Sequence, residues 1–286
     1  MIPVQVLKIF APAKLNLTLE ILGRRPDGYH EIRSLMQPVS LYDILWLQYG
    51  QDKLAVHCPG HPELETEDNL ICRAVRLLEK EISRPLTWTI RLLKRIPVGG
   101  GLGGGSSDAA TVLFALNRQL GGPVEPERLA VLAAKIGSDV PFFLQKGTAL
   151  ALGRGERIIP WPNFPPWWYV LICPDFSVST SWAYNRVKLP LTEKTETSNI
   201  ISLRERGEIP GKDEFRNDLE AGVLPDFPQL LKMKEALLKQ GCLQALMSGS
   251  GSTIFGIWDD QDGAAQAFHA LKGQGWGKVF IVRGLS

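Results

Sequence analysis

Eleven residues near the middle of the chain, Pro97-Val98-Gly99-Gly100-Gly101-Leu102-Gly103-Gly104-Gly105-Ser106-Ser107, have the composition of an anion cradle. Six of the seven residues from Gly99 to Gly105 are glycine. Without Cβ atoms such a backbone adopts positive φ and turns successive N–H groups toward phosphate oxygens. Ser106-Ser107-Asp108 are helix caps by type, and the spacing of Ala109, Val112, Leu113, Leu116 and Leu120 predicts a helix from there to Gly121. Its N-terminal N–H groups and positive dipole end would add to the cradle, which suits a triphosphate. A Walker loop is excluded, because no lysine lies between Pro97 and Asn117. A dinucleotide fingerprint through Gly99, Gly101 and Gly104 is excluded as well, because a second helical pattern, Pro126 to Ile136, follows the first in place of a strand.

Transfer of a phosphoryl group to a hydroxyl calls for a carboxylate that takes the proton and for cations that offset phosphate charge. Asp139, in Gly137-Ser138-Asp139-Val140-Pro141-Phe142-Phe143, is the candidate carboxylate, set among apolar neighbours; a turn or helix-cap aspartate is the alternative. Lys14 sits in a strand-like apolar context, Phe10-Ala11-Pro12-Ala13 before and Leu15-Asn16-Leu17 after, with an exposed edge lysine as its alternative. Tyr29 and His30 follow a glycine turn, where they either reach into a cleft or pack against the body of the protein. His57-Cys58-x-x-His61 has ligand-like spacing, but Pro59, Gly60 and Pro62 describe a surface turn, and no protein metal site is assigned.

The elements that must hold these residues are mixed. Extended structure is predicted over Val4 to Leu22, Leu35 to Leu47, Leu86 to Leu93 and Trp167 to Cys173, with a turn at Arg24 to Gly28. Helices are predicted over Asn69 to Ile82, Gln229 to Gln240 and Asp262 to Gly273, and the polar stretch Leu189 to Asn217 reads as connections with one short helix. The proline-rich segment Trp161 to Pro166 places a boundary between lobes 1–160 and 161–286. The 32 basic and 30 acidic residues are interspersed, which argues against a nucleic-acid or membrane partner. Met1 to Phe10 is unlike a signal peptide, and four cysteines without a C-x-x-C pair suggest reduced thiols and a cytoplasmic enzyme.

Three motifs, Ala11 to Leu17, Pro97 to Asp108 and Met247 to Gly256, resemble in order those of the galactokinase, homoserine kinase, mevalonate kinase and phosphomevalonate kinase family, the GHMP kinases. Arg25-Pro26-Asp27-Gly28-Tyr29-His30-Glu31, Gly99 to Ser107 and Gly137 to Phe143 resemble the branch acting on a cytidine diphosphate metabolite. Ser177 to Thr180 and Asn217 to Glu220 extend that likeness over nearly the whole chain. It implies a two-lobed α/β (α+β) fold, with an N-terminal lobe like ribosomal protein S5 domain 2, containing a left-handed βαβ crossover, and a ferredoxin-like C-terminal lobe. It implies ATP carried with Mg²⁺, hydroxyls near Ser106 or Ser107 as metal ligands, and 4-diphosphocytidyl-2-C-methyl-D-erythritol as acceptor, in the non-mevalonate isoprenoid route. It pairs Lys14 with Asp139 as the catalytic set and assigns Asn16, Tyr29, His30 and Tyr184 to the substrate. Another small-molecule kinase of the family and a catalytically silent nucleotide-binding regulator are the competing readings, the latter disfavoured because Lys14 and Asp139 are both present.

Overall fold

The computed structural model describes residues 6–50, 53–187 and 200–286. In chain order the regular elements begin with β1 (Val6–Asn16), β2 (Glu20–Arg24), β3 (His30–Tyr49), β4 (Ala55–His57), α1 (Leu70–Ile82), β5 (Trp88–Leu93), α2 (Gly104–Gln119) and α3 (Pro126–Ile136). They continue with β6 (Ala149–Gly153), β7 (Arg157–Pro160), β8 (Trp168–Cys173), α4 (Thr180–Arg186), α5 (Ile200–Arg206), α6 (Glu220–Val223), α7 (Pro228–Lys239), β9 (Gln244–Met247), β10 (Ile254–Trp258), α8 (Gln261–Leu271) and β11 (Lys278–Arg283). The chain divides into two compact units: residues up to Ala13, Leu41–Ile96 and Gly103–Gln145 form one, and Lys14–Ser40, Pro97–Leu102 and Lys146–Ser286 the other. β1 and β3 each contribute residues to both units.

In the first unit, the second half of β3 pairs antiparallel with β5, and β5 pairs in parallel with β4. The connection between the parallel strands is α1, as a parallel pair requires a crossover. Asn69 caps this helix by accepting from the Ile71 amide at 2.9 Å, and Ile71, Cys72, Ala74, Val75 and Leu78 form its buried stripe. That stripe packs with Val112, Leu113 and Leu116 of α2 and with Leu129, Leu132 and Ile136 of α3. Trp88, Ile90 and Leu92, alternate residues of β5, close the same core.

In the second unit, the first half of β3 pairs antiparallel with β2 and β6, and β6 with β7. A separate antiparallel sheet has the order β11-β8-β10-β9. Numbered within that sheet the order is 4-1-3-2, with α7 before the second strand and α8 before the fourth, which is the expected ferredoxin-like arrangement. Val170, Ile172, Ala245, Met247 and Ile254 of the sheet share one core with Leu230, Met233 and Leu237 of α7 and Ala264, Ala267 and Leu271 of α8.

Two expectations shift. The extended stretch is split into β1 and β2, and Val4 lies outside the described residues. Of the polar region, Ile200–Arg206 is the short helix α5, while residues 189–199 lie outside the described residues.

Candidate active site

In the second unit, residues distant in sequence meet on the glycine-rich loop. Lys14, near the end of β1, is 3% exposed, which sets aside the edge-lysine reading. Its Nζ donates to Asn16 Oδ1 at 2.5 Å and to the Gly101 carbonyl at 3.0 Å, and its amide donates to the Leu102 carbonyl at 3.0 Å. Asn16 Nδ2 donates onward to Ser34 Oγ at 2.8 Å, which fixes the orientation of its amide. Ser248 Oγ also donates to the Gly101 carbonyl, at 3.0 Å, and the Thr253 amide donates to the Gly100 carbonyl at 3.2 Å. Gly101 has φ +76°, and a Cβ there would lie 2.0 Å from the Ser248 carbonyl oxygen. Only glycine fits this junction, for conformation and for space.

Sequence reasoning missed the braces beneath that junction. Asn217 Nδ2 donates to the carbonyls of Met247 and Gly249, both at 2.7 Å, and Glu220 accepts from the Met247 amide at 2.7 Å. The signal was present as Asn217-Asp218-Leu219-Glu220, but spacing alone does not show which backbone these side chains hold.

The first unit supplies the helix start. The expected cap, Ser106 to Asp108, is corrected: the cap is Gly103, at φ +70°, and α2 begins at Gly104. The cap is left-handed here, a conformation that glycine adopts without strain. The Ser107 amide bonds the Gly103 carbonyl at 2.9 Å, so the amides of Gly104, Gly105 and Ser106 are those that an α-helix leaves unspent for an anion. Ser107 is buried, and its hydroxyl makes no hydrogen bond among the described residues. Asp139 is half-buried in the turn between α3 and the 3₁₀ segment Pro141–Leu144, closed by the Val140 amide on the Gly137 carbonyl at 3.2 Å. A Cβ on Gly137 would stand 4.0 Å from Ser106 Oγ, so the Asp139 turn lies beside the first turn of α2.

Below that turn is a charge cluster that sequence reading did not find. Lys94 Nζ donates to Asp43 and, at 2.9 Å, to Asp108 Oδ2, with all three side chains at most 5% exposed. Burial pushes the Asp108 carboxyl up to about 7 against the opposing pull of Lys94. Burial disfavours the Lys94 ammonium, but the carboxylates of Asp108 and Asp43 outweigh it and hold its proton above the usual lysine range.

The second unit also carries the aromatic residues. The hairpin between β2 and β3 is closed by the Arg25 amide on the Tyr29 carbonyl at 2.8 Å, with Gly28 at φ +84° and Asp27 accepting from the Tyr29 amide at 3.1 Å. Tyr29 is 51% exposed, and the Arg154 guanidinium, absent from the sequence reading, lies 5.1 Å from its ring centre. The His30 ring lies 5.1 Å from that of Tyr184 on α4, tilted by 35°. Burial, helped by Arg24, lowers the His30 pKa, so the imidazole is neutral at pH 7 and offers one donor and one acceptor. Elsewhere, His57 and His61 face Glu65 and Glu63, at 4.0 and 2.9 Å, and Cys58 is buried.

Residues 69–147 match the family model for the GHMP kinases N terminal domain, and residues 203–275 the model for the GHMP kinases C terminal. The class is thereby a GHMP kinase, an ATP-dependent small-molecule kinase of two-lobed α/β fold. The 4-diphosphocytidyl-2-C-methyl-D-erythritol kinase of Syntrophus aciditrophicus (strain SB) is 40% identical over 98% of this chain and 100% of its own. The enzyme of the same name from Geobacter sp. (strain M21) is 41% identical over 94% of this chain and 96% of its own. A crystal structure of 4-(cytidine 5'-diphospho)-2C-methyl-D-erythritol kinase superposes with a TM-score of 0.82 and 36% identity, covering 98% of this chain and 100% of that one. The chain belongs to this family of kinases. Homoserine kinase from Cytophaga hutchinsonii, at 19% identity and a TM-score of 0.77, over 100% of this chain and 96% of that one, shares the fold.

Proposed function

We propose that the protein transfers the γ-phosphoryl group of ATP to the 2-hydroxyl of 4-diphosphocytidyl-2-C-methyl-D-erythritol, in the non-mevalonate route to isoprenoid precursors. The observation that carries the reading is the convergence of Lys14, Gly101 and Ser248, each from a different motif, on one backbone junction. Pro97 to Ser107 binds the phosphates. The amides of Gly104, Gly105 and Ser106 supply donors, and the glycines leave room for close approach. Bound with ATP, Mg²⁺ would neutralise phosphate charge, and the side chains suited to hold it would be the hydroxyl of Ser106 and the buried hydroxyl of Ser107, which makes no hydrogen bond among the described residues.

Asp139 takes the proton of the acceptor hydroxyl as the oxygen attacks the γ-phosphorus, and ADP departs with the bridging oxygen. Lys14 assists that carboxylate and polarises the hydroxyl, while Asn16, already oriented by Ser34, positions the acceptor. Tyr29 and Tyr184 stack on cytosine, and neutral His30 bonds its edge. In this reading the two family lobes divide near residue 160, and the enzyme works in the cytoplasm, with its four cysteines as free thiols. Incubation with ATP, Mg²⁺ and the cytidine substrate, with the uridine analogue as control, tests the reading. A phosphate ester at the 2-oxygen, formed much faster from the cytidine compound, is expected; equal turnover of both, or of neither, overturns it.

A further inference from the structure

The glycine-rich loop cannot stiffen itself. Glycine has the largest backbone freedom to lose on ordering, so the geometry of the loop depends on what holds it: the junction at Gly100 and Gly101 in its middle, and the anchoring of its two ends. Both ends belong to the first unit: the chain enters through Lys94-Arg95-Ile96 and leaves through Gly103 into α2. Asp43 Oδ1 accepts from the Arg95 and Ile96 amides at 2.6 and 2.9 Å and so ties the entry side to β3. Lys94 Nζ, already bonded to that carboxylate, reaches Asp108 Oδ2 on α2 at 2.9 Å and ties the exit side to the same point. The ends are pressed together as well, since a Cβ on Gly104 would lie 3.0 Å from Ile96 Cγ2 and 3.1 Å from Lys94 Nζ.

A buried group of two aspartic side chains and one ammonium is a poor source of stability, because desolvation offsets its attraction. What it supplies is direction: each bond requires a particular placement of charge, which an apolar contact would not impose. We propose that Asp43, Lys94 and Asp108 form a clamp that sets the separation of the two ends of the glycine-rich loop, and that they are positioning residues for ATP. The inference rests on the reading of that loop as the phosphate site. Asp108 and Lys94 act through the loop backbone and not by touching nucleotide.

The test is equilibrium binding, by calorimetry, of a non-hydrolysable ATP analogue and, separately, of cytidine diphosphate, to the wild type and to two variants. Asp108→Asn keeps an oxygen for Lys94 and is expected to bind the ATP analogue within about threefold of wild type, whereas Asp108→Ala frees the exit side and is expected to lose about tenfold or more. Cytidine diphosphate affinity should stay within about twofold in both variants. Should the alanine variant fail to fold, Asp108→Thr, which fills the space with a hydroxyl one bond too short, is judged by the same numbers. A folded alanine or threonine variant with wild-type affinity for the ATP analogue overturns the clamp even if it melts earlier, because a purely structural role lowers stability without touching nucleotide affinity. A wild type that binds cytidine diphosphate but not the ATP analogue overturns the phosphate-site reading and the clamp with it.

Discussion

The start of α2 and the hairpin at Tyr29 are built in opposite ways. At the start of α2, Ser107 and Asp108 are buried, the charges meet inside the protein, and a Cβ on Gly104 would lie 3.0 Å from Ile96 Cγ2. At the hairpin, Tyr29 is half exposed, its neighbours Arg25, Asp27 and Glu31 pair at the surface, and a Cβ on Gly28 would meet nothing. The difference fits the two roles proposed for these regions. Phosphoryl transfer needs donors held in place before the substrate arrives, since reorganisation at the moment of reaction would raise the barrier. Stacking on a base needs an open aromatic face whose burial is completed by the ligand.

The largest effect should come from removing the proposed base. Asp139→Asn is expected to lower kcat by about 10² to 10⁴ with ATP affinity nearly unchanged, and Lys14→Met to give a loss of the same kind. Steady-state kinetics with both substrates varied checks this. The double variant should be little worse than the poorer single one, and full additivity would count against the two acting as a unit.

Next comes the rigid side of the comparison. Gly101→Ala places a methyl group 2.0 Å from the Ser248 carbonyl at a φ of +76°, so the loop must move. A rise in the ATP dissociation constant of about tenfold or more is expected, with unchanged cytidine diphosphate binding and native circular dichroism. An unaffected ATP site would mean that the junction is not as closed as its distances say.

The hairpin should respond in a graded way. Tyr29→Ala is expected to weaken cytidine and uridine substrates alike, by roughly 1 to 3 kcal/mol, since stacking accepts any base. His30→Ala should weaken the cytidine substrate more, because cytosine presents an amino donor where uracil presents a carbonyl. The ratio of kcat/KM between the two substrates reads this, and an unchanged ratio would refute the role of His30.

The smallest effect is in stability. Folded Asp108 keeps its proton up to about pH 7, whereas an ordinary aspartate releases it near 3.8. Between these values the folded state binds the extra proton, so the wild type loses stability as pH rises through that window. Asp108→Asn does not titrate there, and its melting temperature should gain on that of the wild type by about a few degrees from pH 5 to pH 8. A constant difference in calorimetry would show that Asp108 is charged throughout.

Much of this molecule is written locally in its sequence. The glycine-rich loop, α1, α3, α7 and the apolar strand β8 follow from residue spacing, because helical and strand periodicities report which face is buried. Short strands such as β4, β6 and β7 carry too few residues for a period and emerge only through pairing. The cap of α2 was misread because Ser106, Ser107 and Asp108 are capping types, while the residue that caps is the glycine before them. Only the tertiary structure decided which charges meet. Asp43 lies 51 positions from Lys94, and their bond, like that of Lys14 to Gly101 across 87 positions, follows from strand pairing and packing that no local spacing encodes. The sequence by itself determined the kind of chemistry, since phosphate loops and aromatic turns are short contiguous signals. The buried polar contacts that hold those signals in place depend on long-range register, because a desolvated charge finds its partner only once the chain has folded around both.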